Sequence, residues 1–376
     1  MNPRFQQMIH EATRLTQSGR LDEATRMIQQ ALQGEMPNAG GPVPMKAPMT
    51  APVALPPVRA PQIAPDFVAG PAAHPTAVSR GASVQFAGRT LEYKVHVPGG
   101  LSGRALPLVV MLHGCTQNPD DFARGTAMNE HADREGFVVA YPAQSASANP
   151  SACWNWFKHN HQRRGRGEPA LIAALARQVM LEQPIDPQRV YIAGLSAGGA
   201  MAALVGSAYP DLFAAVGVHS GIAPGAATNL TEAMSVMKGG ADAGALGPGG
   251  GGVSPARSPI GLPLPTIVFH GDRDRTVHPG NGHQVIAAAL SARGLDAPGR
   301  MELRSEEARS AAGRQYTRTV HSDETGQVLG EHWLIHGAGH AWSGGRSGGS
   351  YTDPNGPDAS REMLRFFLEH PRGADR

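Results

Sequence analysis

Gly194-Leu195-Ser196-Ala197-Gly198 is the stretch on which the reading of the fold turns. It is a G-x-S-x-G pentapeptide. Val190-Tyr191-Ile192-Ala193 before it reads as a buried strand, and the small residues of 199–209 after it read as a helix. Strand, sharp turn and helix together lift a serine hydroxyl to the top of an α/β sheet as a nucleophile. The flanking glycines suit a strained turn that leaves no room for side chains beside the serine. The competing reading is an ordinary glycine-rich turn, and the strand and helix in their proper places favour the nucleophile.

Working outward, the same alternation continues. Val84-Gln85-Phe86 and 91–97 flank Ala87-Gly88-Arg89 as a β-hairpin. The continuous apolar runs 106–112 and 137–141 suit strands buried on both faces of a parallel sheet. A helix is predicted over 122–134 and another over 171–182. Short apolar strands follow at 214–219 and 266–270, each feeding a glycine-containing loop. Strands alternating with helices predict an α/β class fold with a doubly wound, mostly parallel sheet. Chemistry in such sheets lies beyond the carboxyl ends of the strands.

The flanks differ in character. In the first 33 residues, Phe5, Met8, Ile9, Ala12 and Leu15 recur at helical spacing, and Leu21, Ala24, Ile28, Ala31 and Leu32 do so again. This predicts a short helical hairpin over 1–33, either a frayed appendage or a self-association or docking element. Residues 34–78 are Pro- and Ala-rich with almost no charge, the composition of an extended linker. A second low-complexity patch, 239–252, predicts a surface loop. The 376 residues carry a formal net charge of +2, and 17% of them are charged, which points to no nucleic-acid partner. No apolar run is long enough for a transmembrane segment, and the first residues lack the apolar core of a secretory signal.

A serine needs a base to take its proton. Among 16 histidines, His340 is the best placed: it follows the apolar strand Trp333-Leu334-Ile335 and precedes a glycine-rich loop. His336 is its rival. Where this elbow occurs, the chain order is serine, acid, histidine. Asp272 and Asp274 both follow the strand 266–270. Asp274, deeper in the loop, is the preferred acid, while Asp272 is expected to hold the turn through backbone N–H groups. The tetrahedral oxyanion needs two N–H donors, expected from Ala197 and from Cys115 in the loop after 106–112. Cys115 and Cys153 are the only cysteines, and both fall in loops at the same face. A bridge between them is expected. It argues for an oxidising compartment, against the cytoplasmic or granule-associated location that the missing signal suggests. No metal-site spacing and no nucleotide loop appears, so neither metal nor cofactor is expected.

Taken together, 112–117 (LHGCTQ), 152–157 (ACWNWF), 194–201 (GLSAGGAM), 218–221 (VHSG) and 339–345 (GHAWSGG) resemble the poly(3-hydroxybutyrate) depolymerase family of serine esterases. The likeness runs from about 80 to 368. It implies an α/β-hydrolase fold over 79–372 and ester hydrolysis through Ser196, Asp274 and His340, with Cys115 and Ala197 as the oxyanion site. Secreted polymer-degrading members carry a signal peptide and a substrate-binding domain, neither of which is read here. Soluble oligomers, amorphous polymer or other esters are therefore favoured over crystalline polymer. Trp154, Trp156 and Trp342 fall in predicted active-site loops and are expected to line the substrate groove, unless they only pack those loops.

The leading expectation is a poly- or oligo-(3-hydroxyalkanoate) esterase. The alternatives are a feruloyl or acetylxylan esterase acting on plant polysaccharide, and a catalytically weak protein docked to polymer granules through 1–33.

Overall fold

A computed structural model describes residues 77–100, 103–239, 260–294 and 301–373. The hairpin of 1–33 lies outside the described residues, as do nearly all of the linker and of the 239–252 loop. The described residues belong to one compact unit, Thr76–Arg376.

A hairpin opens the sheet. Strands β1 (Val78–Phe86) and β2 (Arg89–Val97) meet across Ala87 and Gly88, both at positive φ. This is the two-residue turn whose twist matches that of paired strands. Then come β3 (Leu106–Leu112), β4 (Val138–Pro142), β5 (Ile185–Leu195), β6 (Ala215–His219) and β7 (Thr266–Gly271). The last long strands are β8 (Met301–Arg309), β9 (Gln315–Asp323) and β10 (Val328–Ile335). They form one ten-stranded sheet in the order β1-β2-β4-β3-β5-β6-β7-β10-β9-β8. Strands β4, β3, β5, β6, β7 and β10 run parallel, and an antiparallel hairpin closes each side. A separate pair joins β11 (Trp342–Ser343) to β12 (Thr352–Asp353).

The central strands are buried on both faces because helices cover both. In β3, Val110 and Leu112 face a core layer shared with α3 (Gly167–Glu182), α4 (Ala197–Ala208) and α6 (Gly280–Ser291). Val109 and Met111 face the other layer, under α1 (Pro119–Thr126), α2 (Met128–Glu135) and α7 (Ala359–Glu369). The remaining described α-helix is α5 (Leu230–Gly239). Each fully buried Val or Leu stabilises the fold by about 2 kcal/mol, which fits the uninterrupted apolar runs. Strand order reverses between β3 and β5, so their carboxyl ends open a crevice where such sheets bind ligands.

Two local features depart from the sequence reading. The single helix expected over 122–134 is two helices, because Ala127 sits in the left-handed region at φ 51°. A non-glycine residue in that conformation leaves no mark on the hydrophobic period. Met301–Arg309 and Gln315–Asp323 form an outer hairpin that the apolar pattern did not show. Its edge strand is almost wholly exposed and bears Glu302, Arg304, Glu306, Glu307 and Arg309, the charges that discourage edge-to-edge pairing. Among the described residues no helix is long and apolar enough to cross a membrane.

Candidate active site

Strand β5 delivers Ser196 to the crevice. From Val190 to Gly206 every residue except Ser196 is buried. Ser196 has φ 57° and ψ −121°, a strained backbone of the kind that costs on the order of 1–3 kcal/mol and clusters at functional sites. A Cβ on Gly194 would collide with the carbonyl carbon of Gly198, and one on Gly198 would collide with the Leu112 oxygen. Both glycines are therefore sterically required. The Ser196 hydroxyl does not cap α4. Its backbone N–H donates instead to the His219 carbonyl at the end of β6, 2.8 Å away.

The loops after β7 and β10 carry two Asp–His pairs. His340 donates from Nδ1 to Oδ2 of Asp274 at 2.6 Å. The other oxygen of Asp274 accepts the N–H groups of Thr276 and Val277, each at 2.9 Å. Burial pushes this carboxyl up, but hydrogen bonds from His270 and His340 outweigh it and hold the group well below the usual carboxylate range. His340 Nε2 takes no protein partner among the described residues. Asp272 binds His336 Nδ1 at 3.0 Å and the Gly337 N–H at 2.7 Å, in a more exposed position. Asp272 thus ties its loop to the neighbouring one rather than bonding within its own turn.

The loop after β3 lies against the elbow. Leu112 is in register with Gly194. Ala197 opens α4, so its N–H is among those a helix leaves without an internal acceptor. The Cys115 N–H makes no hydrogen bond to a protein acceptor among the described residues. His113 anchors the loop: its Nδ1–H donates to Gly114 O at 2.8 Å, and its Nε2 accepts the Gln144 N–H at 3.2 Å. Burial pushes His113 down to about 4, so the ring stays neutral and keeps that tautomer.

Cys115 and Cys153 are joined by a disulfide that closes a separation of 38 residues. In the chain-entropy view such a loop contributes about 4 kcal/mol. Replacing both cysteines by alanine is expected to lower Tm by roughly 10 °C in calorimetry. An unchanged Tm would show that other contacts hold this loop.

The tryptophan expectation is corrected. Trp154 and Trp342 are 0% and 1% exposed and have no face to offer a groove. Trp154 donates to His113 O at 3.1 Å. Trp342 donates to Ser360 Oγ and packs edge-on against Phe122. Trp156 is 7% exposed and packs edge-to-face with Phe157. All three are buried in the loops, and Trp154 and Trp342 also tie theirs together through the indole N–H.

Two positioning residues were given no role at sequence level. His219 is fully buried. Its carbonyl holds Ser196 N–H, its Nε2 accepts Ser343 N–H at 3.0 Å, and its ring stacks on Trp342. It links the serine turn to the loop just past His340. Burial, ahead of like-charge neighbours, holds it well below the usual histidine value. Glu168 is also buried. It accepts the Asn155 backbone N–H at 2.7 Å, Asn155 Nδ2 at 2.6 Å and Gln144 Nε2 at 2.8 Å. That fixes the loop carrying Cys153. The sequence signal for His219 was its place in the VHSG stretch; Glu168 had none.

Residues 91–312 match the family described as Esterase PHB depolymerase. The chain is 32% identical over 251 residues to poly(3-hydroxyalkanoate) depolymerase C of Paucimonas lemoignei, covering 65% of this chain and 57% of that protein. It is 31% identical over 144 residues to feruloyl esterase B of Thermothelomyces thermophilus, covering 38% of this chain and 48% of that one. The chain thus spans about half the length of these relatives. Among solved structures, the acetyl xylan esterase from Aspergillus awamori superposes with a TM-score of 0.54 at 18% identity, over 77% of this chain and 99% of that one. That likeness concerns the α/β-hydrolase fold alone. The family match covers more than half of the sequence, and the chain belongs to the PHB depolymerase family of esterases.

Proposed function

We propose that this protein hydrolyses carboxylic esters through an acyl-enzyme on Ser196, and that its substrates are poly- or oligo-(3-hydroxyalkanoates). The observation that carries the mechanism is the 2.6 Å bond from His340 Nδ1 to the buried Asp274. It fixes one tautomer and leaves Nε2 as the basic nitrogen. In this reading Ser196 Oγ attacks the ester carbonyl while His340 Nε2 takes its proton. Asp274 stabilises the imidazolium that forms. The N–H groups of Ala197 and Cys115 receive the oxyanion. His340 then returns the proton to the departing alcohol, and water cleaves the acyl-enzyme by the same route.

The depolymerase relative, alike over most of this chain, supports the hydroxyalkanoate class. A fluorophosphonate should add to Ser196, located by peptide mass. A linear 3-hydroxybutyrate trimer should be turned over with at least tenfold higher kcat/KM than methyl ferulate. The reverse order would move the protein to the feruloyl class; label on another residue would sink the mechanism.

A further inference from the structure

We infer that Tyr351 is a substrate-contacting residue that forms the wall on which an ester chain longer than the scissile unit lies. The inference rests on Ser196 being the nucleophile. Tyr351 is 44% exposed. Its φ is 51°, a left-handed conformation that tyrosine adopts at a cost of about 1–2 kcal/mol. An exposed ring gains little from burial to offset that cost.

The hydrogen bonds show where the strain is spent. Ser350, just before it, donates its N–H to Asp121 Oδ1 at 3.0 Å and accepts Gln117 Nε2 on its carbonyl at 3.0 Å. The Ser350 hydroxyl also bonds Asp121. The Tyr351 carbonyl accepts the Trp342 N–H at 2.7 Å, two residues past His340. The phenol oxygen lies 3.2 Å from Thr116 Oγ1. Thr116 in turn donates to the Cys115 carbonyl at 2.6 Å, so the phenol must be the donor to Thr116. The backbone of Tyr351 is thereby tied to the loop of the proposed base, and its side chain to the loop of the proposed oxyanion donor.

An aromatic face fixed between those two loops suits an extended, methyl-bearing acyl or alcohol chain. Neither Trp154 nor Trp342 offers such a face. An ester short on both its acyl and its alcohol side, by contrast, has no chain to lay on it. The ring therefore contributes to the binding of oligomers and nothing to the chemistry at the carbonyl.

Steady-state kinetics on methyl acetate and on a linear 3-hydroxybutyrate trimer test this. Y351A is expected to raise KM for the trimer tenfold or more, with kcat within threefold. It should leave kcat/KM for the acetate within threefold. Y351F keeps the ring and loses the phenol bond, and should retain a trimer KM within threefold of wild type. Equal losses on both substrates, or a loss in Y351F as large as in Y351A, would make Tyr351 a loop staple and overturn the inference. So would an unchanged trimer KM in Y351A. If Y351A does not fold, Y351F and Y351L make the comparison, with only Y351L raising the trimer KM. Wild type inactive on both esters would instead count against the hydrolase reading.

Discussion

Ser196→Ala is expected to lower kcat on p-nitrophenyl butyrate by about 10⁶, and Asp274→Asn by about 10⁴, while Asp272→Asn costs less than tenfold. The serine effect follows from removing the atom proposed to attack. The aspartate pair is the sharper test, because the two residues are nearly adjacent in sequence and each holds a histidine. Asp274 is buried, and one of its oxygens already accepts two backbone N–H groups. An asparagine there must keep its carbonyl oxygen on those donors. Its NH₂ then faces His340 Nδ1, forcing that nitrogen to become the acceptor and Nε2 to carry the proton. The ring would then have the wrong tautomer to act as base. Asp272→Asn faces a half-exposed His336, where water can replace the lost bond. Circular dichroism would show whether each variant folds. Equal losses in the two Asn variants would refute the assignment, as would wild-type turnover in Asp274→Asn.

The sequence made some of this site legible and hid the rest for definable reasons. Strand β3, the second half of β5 and most of β7 were readable because a strand segment buried on both faces is largely apolar. The elbow was readable because two glycines are sterically demanded around Ser196. The choice of Asp274 over Asp272 and of His340 over His336 was a preference, and which aspartate meets which histidine was not legible. It depends on how the loops after β7 and β10 lie together, and the Arg273 N–H to Ala338 carbonyl bond at 3.0 Å sets that register. The tryptophans misled because a loop residue need not be exposed. Trp342 sits in the short strand β11, beneath Phe122 and beside His219. Glu168 was invisible because an acidic residue in a first helical turn is ordinary. Only the converging Asn155 and Gln144 donors distinguish it.

Acid is expected to unfold the domain well before its carboxylates titrate. Burial is the leading cause that lowers six histidines: His113 to about 4, His332 to about 3, His219 well down, and His161, His283 and His321 by lesser amounts. The ordinary value in an unfolded chain is about 6.5. The folded values lie below it, so the unfolded state binds more protons as pH falls beneath 6.5. Stability is complete above that point and is lost progressively down to the folded values. His113 and His332 alone remove about 3 kcal/mol each by pH 4, against a total of about 5–15 kcal/mol for a domain. Asp274, Glu331, Asp121 and Asp358 are held below their ordinary values, so their contribution fails later, at lower pH.

His332 shows why no neighbour rescues the cluster. It lies on β10 with His283 of α6 packed on its ring at 4.3 Å, and His270 of β7 and His321 of β9 are its other titratable neighbours. Among the described residues its Nε2 has no hydrogen-bond partner, and neither does Nδ1 of His270 or of His321. The adjacent Glu331 is committed to Arg318 and Arg365. A proton on His332 therefore meets imidazoles; the carboxylate nearest the cluster, Asp274, lies 3.5 Å from His270 and is already bonded to His340. Urea unfolding followed by tryptophan fluorescence should give a midpoint that drops steadily from pH 7 to pH 5. His332→Gln should lower proton uptake on unfolding at pH 5 by close to one and shift the acid midpoint down by about half a pH unit. A urea midpoint flat across that range would mean that these rings are hydrated and titrate normally in the folded protein.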